Sequence, residues 1–590
     1  MKQRQCLAAV RIVGIVGLAV GLTACHSPIE PRGGSDLQRT VLESVRREFS
    51  QADLAPGIRQ PERESGVDML GLSAERLREL EAMAGPDSYD PSSVDPGVDL
   101  TGLTGRTVTI SLERAIKTAL ENNLELRFAQ LAPAITRTQI VQAEAAFDWT
   151  FTTSLTQSWT DTPRPTQTVG LSRVGVQADV TETTNLTSGL QRRLTSGGTL
   201  NIRHEMIYTD SRSPGLSVTP DPQKQASIAM QFDQPLLRGF GSDFALSQVR
   251  LERNAERDAI AQYKQTLIDV VTRTERAYWN LVLAHRTLLI QQRLLERGIR
   301  TRDQVRGRAI IDATEARIAE AVATVERRKG DIIRSQLALQ DASDELKVLM
   351  NDPELTLGSL MLLLPGDVVP DEPISFSLRD SLMTAMSQRP QMQRALISLD
   401  STGIRLQQAA SARLPQLDLR LQARAIGLDD DFRSAYNDVA DRQFVEYLAG
   451  LNFSIPLGNR EAESLNRRRR LEQMQATIAY MDTVQQVTRE VIAALRTVGT
   501  AYNLIGSSRT SRTAAARALQ AFEFEQRELR APTAERLDLE FRNQESLANA
   551  ERVEIEAMVQ YGSAVAALYA AMGTALERNR IEFVVPDPRK

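Results

Sequence analysis

The stretch QPLLRGFG, residues 234–241, constrains this chain most. Before it, apolar and polar residues alternate as they do along a half-buried strand; after it, the period becomes helical and stays so for a very long run. A second junction, IPLGNREAES (455–464), makes the same change in the second half. An ordinary globule has no use for two direct passages from strand into very long helix. With 590 residues the chain also exceeds a single core, so several lobes or a repeat are expected. The fold class predicted is an α+β membrane protein. Its long helical hairpins build an α-barrel, its strands contribute to a β-barrel, and two internal repeats make up the chain.

The N-terminus reads as an export signal. Lys2, Arg4 and Arg11 precede the apolar run Ile12–Leu22, which is too short for a spanning helix. Leu22-Thr23-Ala24-Cys25 then resembles the lipobox of bacterial lipoproteins, which implies removal of residues 1–24 and acylation of Cys25. A plain signal peptide with a chance cysteine is the alternative. His26 after the cysteine, rather than aspartate, implies by the same resemblance an outer-membrane destination. Several acyl chains on one residue would anchor stably. Residues 25–106 are rich in proline and glycine and read as a tether, with short helices at about Asp36–Phe49 and Ser73–Met83. A linker role is the simpler reading of this segment and a regulatory role the other.

From Ser111 the chain repeats itself. SLERAIKTALENNLELRFA (111–129) aligns without a gap on SLRDSLMTAMSQRPQMQRA (377–395). Repeat 1 is placed at 107–350, a linker at 351–375, repeat 2 at 376–582 and a tail at 583–590. Strands are expected at about 147–160, 174–194, 198–208 and 225–235 in the first repeat, and at about 414–426 and 446–456 in the second. The first repeat is about 45 residues longer between its opening helix and its junction, room for an additional hairpin. Six strands result, or four with a flap. In the second repeat Leu417, Leu419, Leu421, Ala423 and Ala425 alternate with Asp418, Arg420, Gln422 and Arg424. In an outer-membrane barrel such polar residues face a wet lumen and the apolar ones face lipid. A soluble sandwich alternates identically, but would not feed straight into helices of this length. Phe147, Trp149, Trp159 and Tyr208 are placed towards strand ends, as an aromatic girdle would be.

Long helices are expected over 242–350 and 460–576, reversing near Gly307 and near Ala531-Pro532 into hairpins of nearly equal length. Ile260, Tyr263, Leu267, Val270, Thr274, Ala277 and Leu281 step by three and four, a seam whose small and polar members suit packing among many helices. Arg467–Arg470 point to different sides of such a helix and read as a solvated face or a lipid-headgroup contact.

Several functions are excluded. Lys and Arg number 71 against 75 acids, a net charge of −4, so no basic groove for nucleic acid exists. Cys6 and Cys25 are the only cysteines and His26, His204 and His285 the only histidines, which leaves no metal cluster. No phosphate-binding GxxxxGK[ST], no GxSxG and no HExxH occurs, so no catalytic residue is assigned and any energy must come from a partner.

The junctions, with GRAIIDATEA (307–316) and YGSAVAALYAAMGTAL (561–576), resemble the TolC-like outer membrane efflux protein family. The resemblance spans roughly residues 107–582. It implies a homotrimer in the outer membrane with helices reaching into the periplasm, usually with four strands per chain. It also implies tips that dock a periplasmic membrane-fusion adaptor, itself joined to an inner-membrane pump of the resistance-nodulation-division or ABC type. By position those tips are Gly307, Ile310, Ile311, Asp312 and Ala313, and Pro532, Thr533 and Leu537, with Asp538 the candidate gate residue. Ala531-Pro532 stands where the family has glycine. Asp312 and Asp538 are read equally well as acids favoured at a helix N-terminus. No cofactor is expected beyond covalent lipid on Cys25. The function expected is an export duct, the alternative a periplasm-spanning structural lipoprotein.

Overall fold

A computed structural model describes residues 43, 46, 66–86, 88–89, 97, 106–164, 177–212, 219–307, 314–369, 371–528 and 534–585. The chain divides at Arg47 into two units, and in the first only Glu43 and Arg46, both helical, are described. The signal, Cys25, all of the helix expected at Asp36–Phe49 except Glu43 and Arg46, residues 586–590 of the tail and both hairpin turns therefore lie outside the described residues.

In chain order the second unit contains α1 (Ala74–Ala84), β1 (Thr107–Ile110), α2 (Leu112–Asn122), α3 (Leu124–Ala129), α4 (Leu131–Glu144), β2 (Thr150–Arg164), β3 (Gln177–Arg193), β4 (Thr199–Arg212), β5 (Gln223–Pro235), α5 (Ser242–Ala245), α6 (Ser247–Gly307) and α7 (Glu315–Met350). There follow β6 (Leu362–Pro365), α8 (Leu378–Gln388), α9 (Pro390–Ala412), β7 (Gln416–Asp429), α10 (Phe432–Ala440), β8 (Phe444–Ser454), α11 (Arg460–Glu528), α12 (Ala534–Met572) and α13 (Ala575–Arg578). At 61 and 69 residues, α6 and α11 are about 90 and 100 Å long at ~1.5 Å per residue.

Six strands form one antiparallel sheet in the order β2-β3-β4-β5-β7-β8. Among the described residues its first and last strands do not pair with each other. The two matched sequence stretches each open with an eleven-residue helix, α2 and α8. Ser111 and Ser377 cap them, accepting hydrogen bonds from the Arg114 and Asp380 backbone amides.

Burial on α6 exceeds one seam. Leu267, Val270, Thr274, Ala277, Leu281 and Leu288 are buried as the spacing implies, and so are Ile268, Val271, Tyr278, Trp279, Val282 and Leu289. Helix α6 touches its own return helix α7 but also α12 of the other hairpin, α9, α4 and α2. A two-stranded zipper needs one stripe, whereas a helix walled in on several sides needs more.

Two expectations are corrected. Residues 351–375 are more than a connector: Leu362–Pro365 pairs in parallel with Thr107–Ile110, register Thr107 to Leu362. Asp367 accepts from the Leu112 amide at 2.6 Å and from the Tyr278 hydroxyl at 2.8 Å. Strands of four residues carry too little alternation to read. The 25–106 segment is likewise more than a tether, since α1 is N-capped by Ser73 and packs on α11. The turn between β7 and β8 also hides α10, which lies against the sheet through Ala435 and Val439 on Ala226 and Ala425. A Cβ at Gly427 would sit 1.9 Å from the Ala435 carbonyl oxygen, so only glycine admits that approach.

Tyr278 tests the anchor between residues 362–367 and α6. Its hydroxyl also accepts from the Asp367 amide at 3.1 Å; the tyrosine is fully buried and Asp367 half-buried. Tyr278→Phe should cost about 1–3 kcal/mol by stranding those partners. The measurement is thermal melting of the purified protein, and an unshifted midpoint would refute the anchor.

Candidate functional site

The candidate site is a path: a sheet face, the junctions beneath it, and the helices that follow. In an antiparallel sheet, residues paired across strands share a face. The register runs Thr152, Gly189, Arg203, Ala229, Arg424, Glu446 across all six strands. That face carries Thr150, Thr152, Ser154, Thr156, Ser158 and Thr160 on β2, Asn185, Thr187 and Gln191 on β3, and Asp418, Arg420, Gln422 and Arg424 on β7. The four β7 residues named from sequence are thus brought together on one polar face. Their charges are matched there: Arg420 pairs with Asp233 at 2.7 Å and Arg424 with Glu205 at 3.0 Å.

The opposite face holds Phe151, Leu155, Trp159, Ile228, Met230, Tyr447, Leu451 and Phe453, all exposed. At mid-β5 the sheltering is reversed from a soluble protein, since Ser227 and Ala229 on the polar face are buried while Ile228 and Met230 are exposed; further along the same apolar face, Ala226 and Ala425 are covered by α10. Near the ends remote from the helices the alternation lapses, because Ile426, Leu428, Phe444 and Leu448 share the polar face. Trp159 lies well inside β2, not at its end, while Trp149 sits just before β2 beneath the Arg192 guanidinium, 5.7 Å from the ring centre.

The junction explains its own sequence. The Gln234 amide donates to the Ser196 and Pro235 carbonyls at 3.1 and 2.9 Å, and its oxygen accepts from the Ser196 hydroxyl at 2.8 Å. The β3–β4 turn is thereby pinned under the end of β5. Gly239 and Gly241, at φ +83° and +99°, then swing the chain into α5. At the second junction Gly458 takes φ +91° and the Asn459 side chain donates to the Arg413 carbonyl at 3.1 Å.

Open clefts of mixed polar and apolar lining lie between the helices. Asn280, Gln291, Asp331, Arg334, Arg552 and Glu556 line one open cleft between α6, α7 and α12, and Arg276, Arg496, Thr500 and Gln560 line the next. Among the described residues no helix is long and apolar enough to cross a membrane, and no cluster of His, Cys, Asp or Glu could hold a metal.

Towards the turns, sequence reasoning missed a buried polar relay. Thr301 donates to Glu540 Oε1 at 2.6 Å, and the Gln544 amide donates to both at 3.1 and 3.2 Å. Arg328 donates to Gln544 Oε1 at 2.8 Å and to the Leu294 carbonyl at 2.9 Å. Burial pulls its guanidinium down to about 10. Gly298 makes the room, since a Cβ there would lie 2.6 Å from Arg328 Nη1. A glycine inside a long helical pattern is the one sequence signal that could have found this site. Of the named tip residues, Gly307 ends α6 and is exposed, and Leu537 is half-buried, packing in part on Val305, Ala321 and Phe541. Asp538 pairs with Arg542 at 2.5 Å along its own helix. Ile310, Ile311, Asp312, Ala313, Pro532 and Thr533 lie outside the described residues.

No family model matches the chain, and no curated protein matches it. Solved structures do. The CmeC outer membrane channel of Campylobacter jejuni is 16% identical with a TM-score of 0.54, over 79% of this chain and 86% of that one. The VceC outer membrane protein of Vibrio cholerae is 14% identical with a TM-score of 0.55, over 78% and 96%. The MtrE outer membrane channel of Neisseria gonorrhoeae, described in its open state, is 17% identical with a TM-score of 0.52, over 79% and 89%. At these identities the likeness establishes the fold, which is that of TolC-like outer membrane channels.

The relay predicts its own variant. Gln544→Leu takes one buried partner from each of Arg328, Thr301 and Glu540, although Arg328 keeps the Leu294 carbonyl and Thr301 keeps Glu540, and should cost about 1–3 kcal/mol. Melting and amide exchange over 294–307 would report it, and unchanged values would mean that the three groups do not depend on Gln544.

Proposed function

We propose that this chain is one subunit of a passive export duct in the outer membrane, in which three copies close a β-barrel above and a barrel of helices below. The observation that carries the reading is the inverted sheet, apolar outside and polar in its shelter, leading at two junctions into helices of about 100 Å. The outer-membrane location agrees with the channels that share the fold.

Closure by further copies is favoured by what the single chain leaves open. Among the described residues, strands β2 and β8 each end the sheet with one side unpaired, a state that proteins normally avoid. Below them Phe128, Leu131 and Ile135 on α3 and α4 are exposed, as are Leu471, Met474 and Ile478 on α11. Helix α4 runs towards the sheet and α11 away from it. Counted from their junctions, the two stripes fall at matching heights, and antiparallel packing against the next copy would cover both. Each half of the chain contributes a sheet segment, a junction and a hairpin, which we read as duplication.

Asp418, Arg420, Gln422 and Arg424 would then line the lumen. Cys25 would carry the lipid, and the turns at Gly307–Ala313 and 531–533 would dock a periplasmic adaptor that links an inner-membrane pump. An adaptor that binds the open tips more tightly than the closed ones shifts that equilibrium.

Single-channel recording in planar bilayers tests the duct directly. The purified protein should give stepwise conductance with weak ion selectivity, because the lining arginines are neutralised. Arg420→Ala with Arg424→Ala frees Asp233 and Glu205 and should shift the reversal potential towards cation preference. Absence of current in any condition would favour a structural lipoprotein. The copy-to-copy seam is tested separately: Ile135→Cys with Leu471→Cys should give inter-subunit disulfides on oxidation, and a purely monomeric product would exclude this packing.

A further inference from the structure

The segment ahead of the first repeat is built into the helices in a way that a tether would not require. Helix α1 and the residues Gly85, Pro86, Ser88 and Tyr89 lie across the seam between the two hairpins. Leu80 and Ala84 are buried against Ala516 and Leu519 of α11 and Leu547 of α12. The carbonyls at and just past the C-terminus of α1 are acceptors that the helix itself leaves unsatisfied. Arginines from both hairpins take them. Arg293 of α6 donates to the Met83 and Ser88 carbonyls at 3.1 and 2.6 Å and to the Ser88 hydroxyl at 2.9 Å. Its guanidinium sits 3.8 Å over the Tyr89 ring. Arg286 of α6 donates to the Pro86 carbonyl at 2.9 Å. From the other hairpin, Arg512 of α11 donates to the Ala84 carbonyl at 3.2 Å and to Glu81 at 2.6 Å. Its Nε meets Glu554 of α12, with the two side chains 1% and 2% exposed. The Tyr89 hydroxyl donates to Glu551 of α12 at 2.7 Å, and burial beside that carboxylate pushes its pKa well above the usual phenol range.

The height of this contact gives it meaning. Arg293 lies about 20 Å along α6 from Gly307, and Arg512 about 24 Å along α11 from Glu528. Thr301 and its relay fall between the contact and the turns. Arg512 and Glu554 both belong to the second hairpin, whereas Arg286 and Arg293 belong to the first, so sliding one hairpin past the other would pull Glu81 and the Ala84 carbonyl from Arg512 or the Pro86 and Ser88 carbonyls from Arg286 and Arg293, leaving buried polar groups without partners.

We propose that α1 with Gly85, Pro86, Ser88 and Tyr89 is a fixed stay that locks the two hairpins in register, so that opening of the duct is confined to the helix ends beyond it. The proposal rests on the duct reading for the word opening; the locking itself does not depend on transport. Two measurements on the full-length protein test it. In amide exchange, Leu80→Ser with Glu81→Gln should speed exchange over 286–294 and 547–554 by at least about tenfold and leave the sheet unchanged. Unchanged exchange would make the segment a passive cover and overturn the proposal. Should that variant fail to fold, Tyr89→Phe is read in the same way, with a smaller acceleration expected over 547–554 and none overturning it. In bilayers, a disulfide between Leu80→Cys and Leu547→Cys should leave adaptor-induced opening the same before and after reduction. Opening that appears only after reduction would show that the segment must leave its seat, which also overturns the proposal. A wild-type protein that never conducts would sink the duct reading while the exchange result still stands.

Discussion

The structure depends first on cross-strand register. Because paired residues of an antiparallel sheet share a face, one register commits every strand at once. Sliding β7 by a single residue against β5 would carry Arg420 and Arg424 to the side of Phe151 and Trp159 and separate them from Asp233 and Glu205. Two charged pairs and the polar stripe of β2 therefore specify the same alignment from opposite ends of the sheet. The junctions enforce it mechanically as well. Gln234 holds the β3–β4 turn, and Leu236 donates its amide to the Leu417 carbonyl, so the place where β5 stops is tied to the place where β7 starts.

The helices obey a different rule. Helix α6 is enclosed by partners from both hairpins, and close approach is allowed by small residues at chosen points. Gly562 lets Trp279 within 3.3 Å of where a side chain would begin, and at Gly573, with φ +78°, an added Cβ would lie 3.0 Å from the Gln388 backbone carbon. These glycines belong to the small-residue run YGSAVAALYAAMGTAL, whose composition is thus a packing requirement of α6 and α8 as much as a property of its own helix. Polar contacts also tie helices together, among them Arg512–Glu554 and the Thr301–Gln544–Arg328 relay, both largely buried. The relay joins α6 and α7 of the first hairpin to α12 of the second, whereas Arg512–Glu554 joins α11 to α12 within the second hairpin and holds the N-terminal segment through Glu81. Apolar surface alone would let neighbouring helices slide with little preference; buried hydrogen bonds do not.

What could be read from sequence follows the same division. Strong period-two alternation made β5 and β7 legible, and the polar residues of β7 do fall on one face. The strand-to-helix junctions were legible because glycine and proline punctuate them. What escaped notice had no periodic signal. Strands β1 and β6 are four residues each and owe their existence to Tyr278 and Asp367, which are distant in sequence. Helix α10 lies in a turn whose charged residues, Asp429, Asp430, Asp431 and Arg433, mask an apolar face of Ala435 and Val439. Leu537 was expected at a docking surface from its position, but three-dimensional neighbours on α6 and α7 cover part of it. The arginines that seat α1 looked like ordinary helix charges, since only their carbonyl partners, some two hundred and more residues away, reveal a role.

The same apolar surfaces that argue for a membrane argue against an isolated subunit. A sheet bathed in lipid on one face still cannot leave the hydrogen-bonding groups of β2 and β8 unpaired within the bilayer, where no water can replace a missing strand. Lipid therefore explains Phe151 and Leu451 but not the edges, and it cannot explain the stripes Phe128–Ile135 and Leu471–Ile478, which lie on the helices beyond the sheet. One event, the docking of an identical neighbour, would cover the strand edges and the helical stripes together, since β2 follows α4 and β8 precedes α11 in the chain. Chain connectivity places each strand edge directly above its matching helical edge. A ring of copies would thus close at both levels with one rigid relation between neighbours, and the continuous polar face would be its interior.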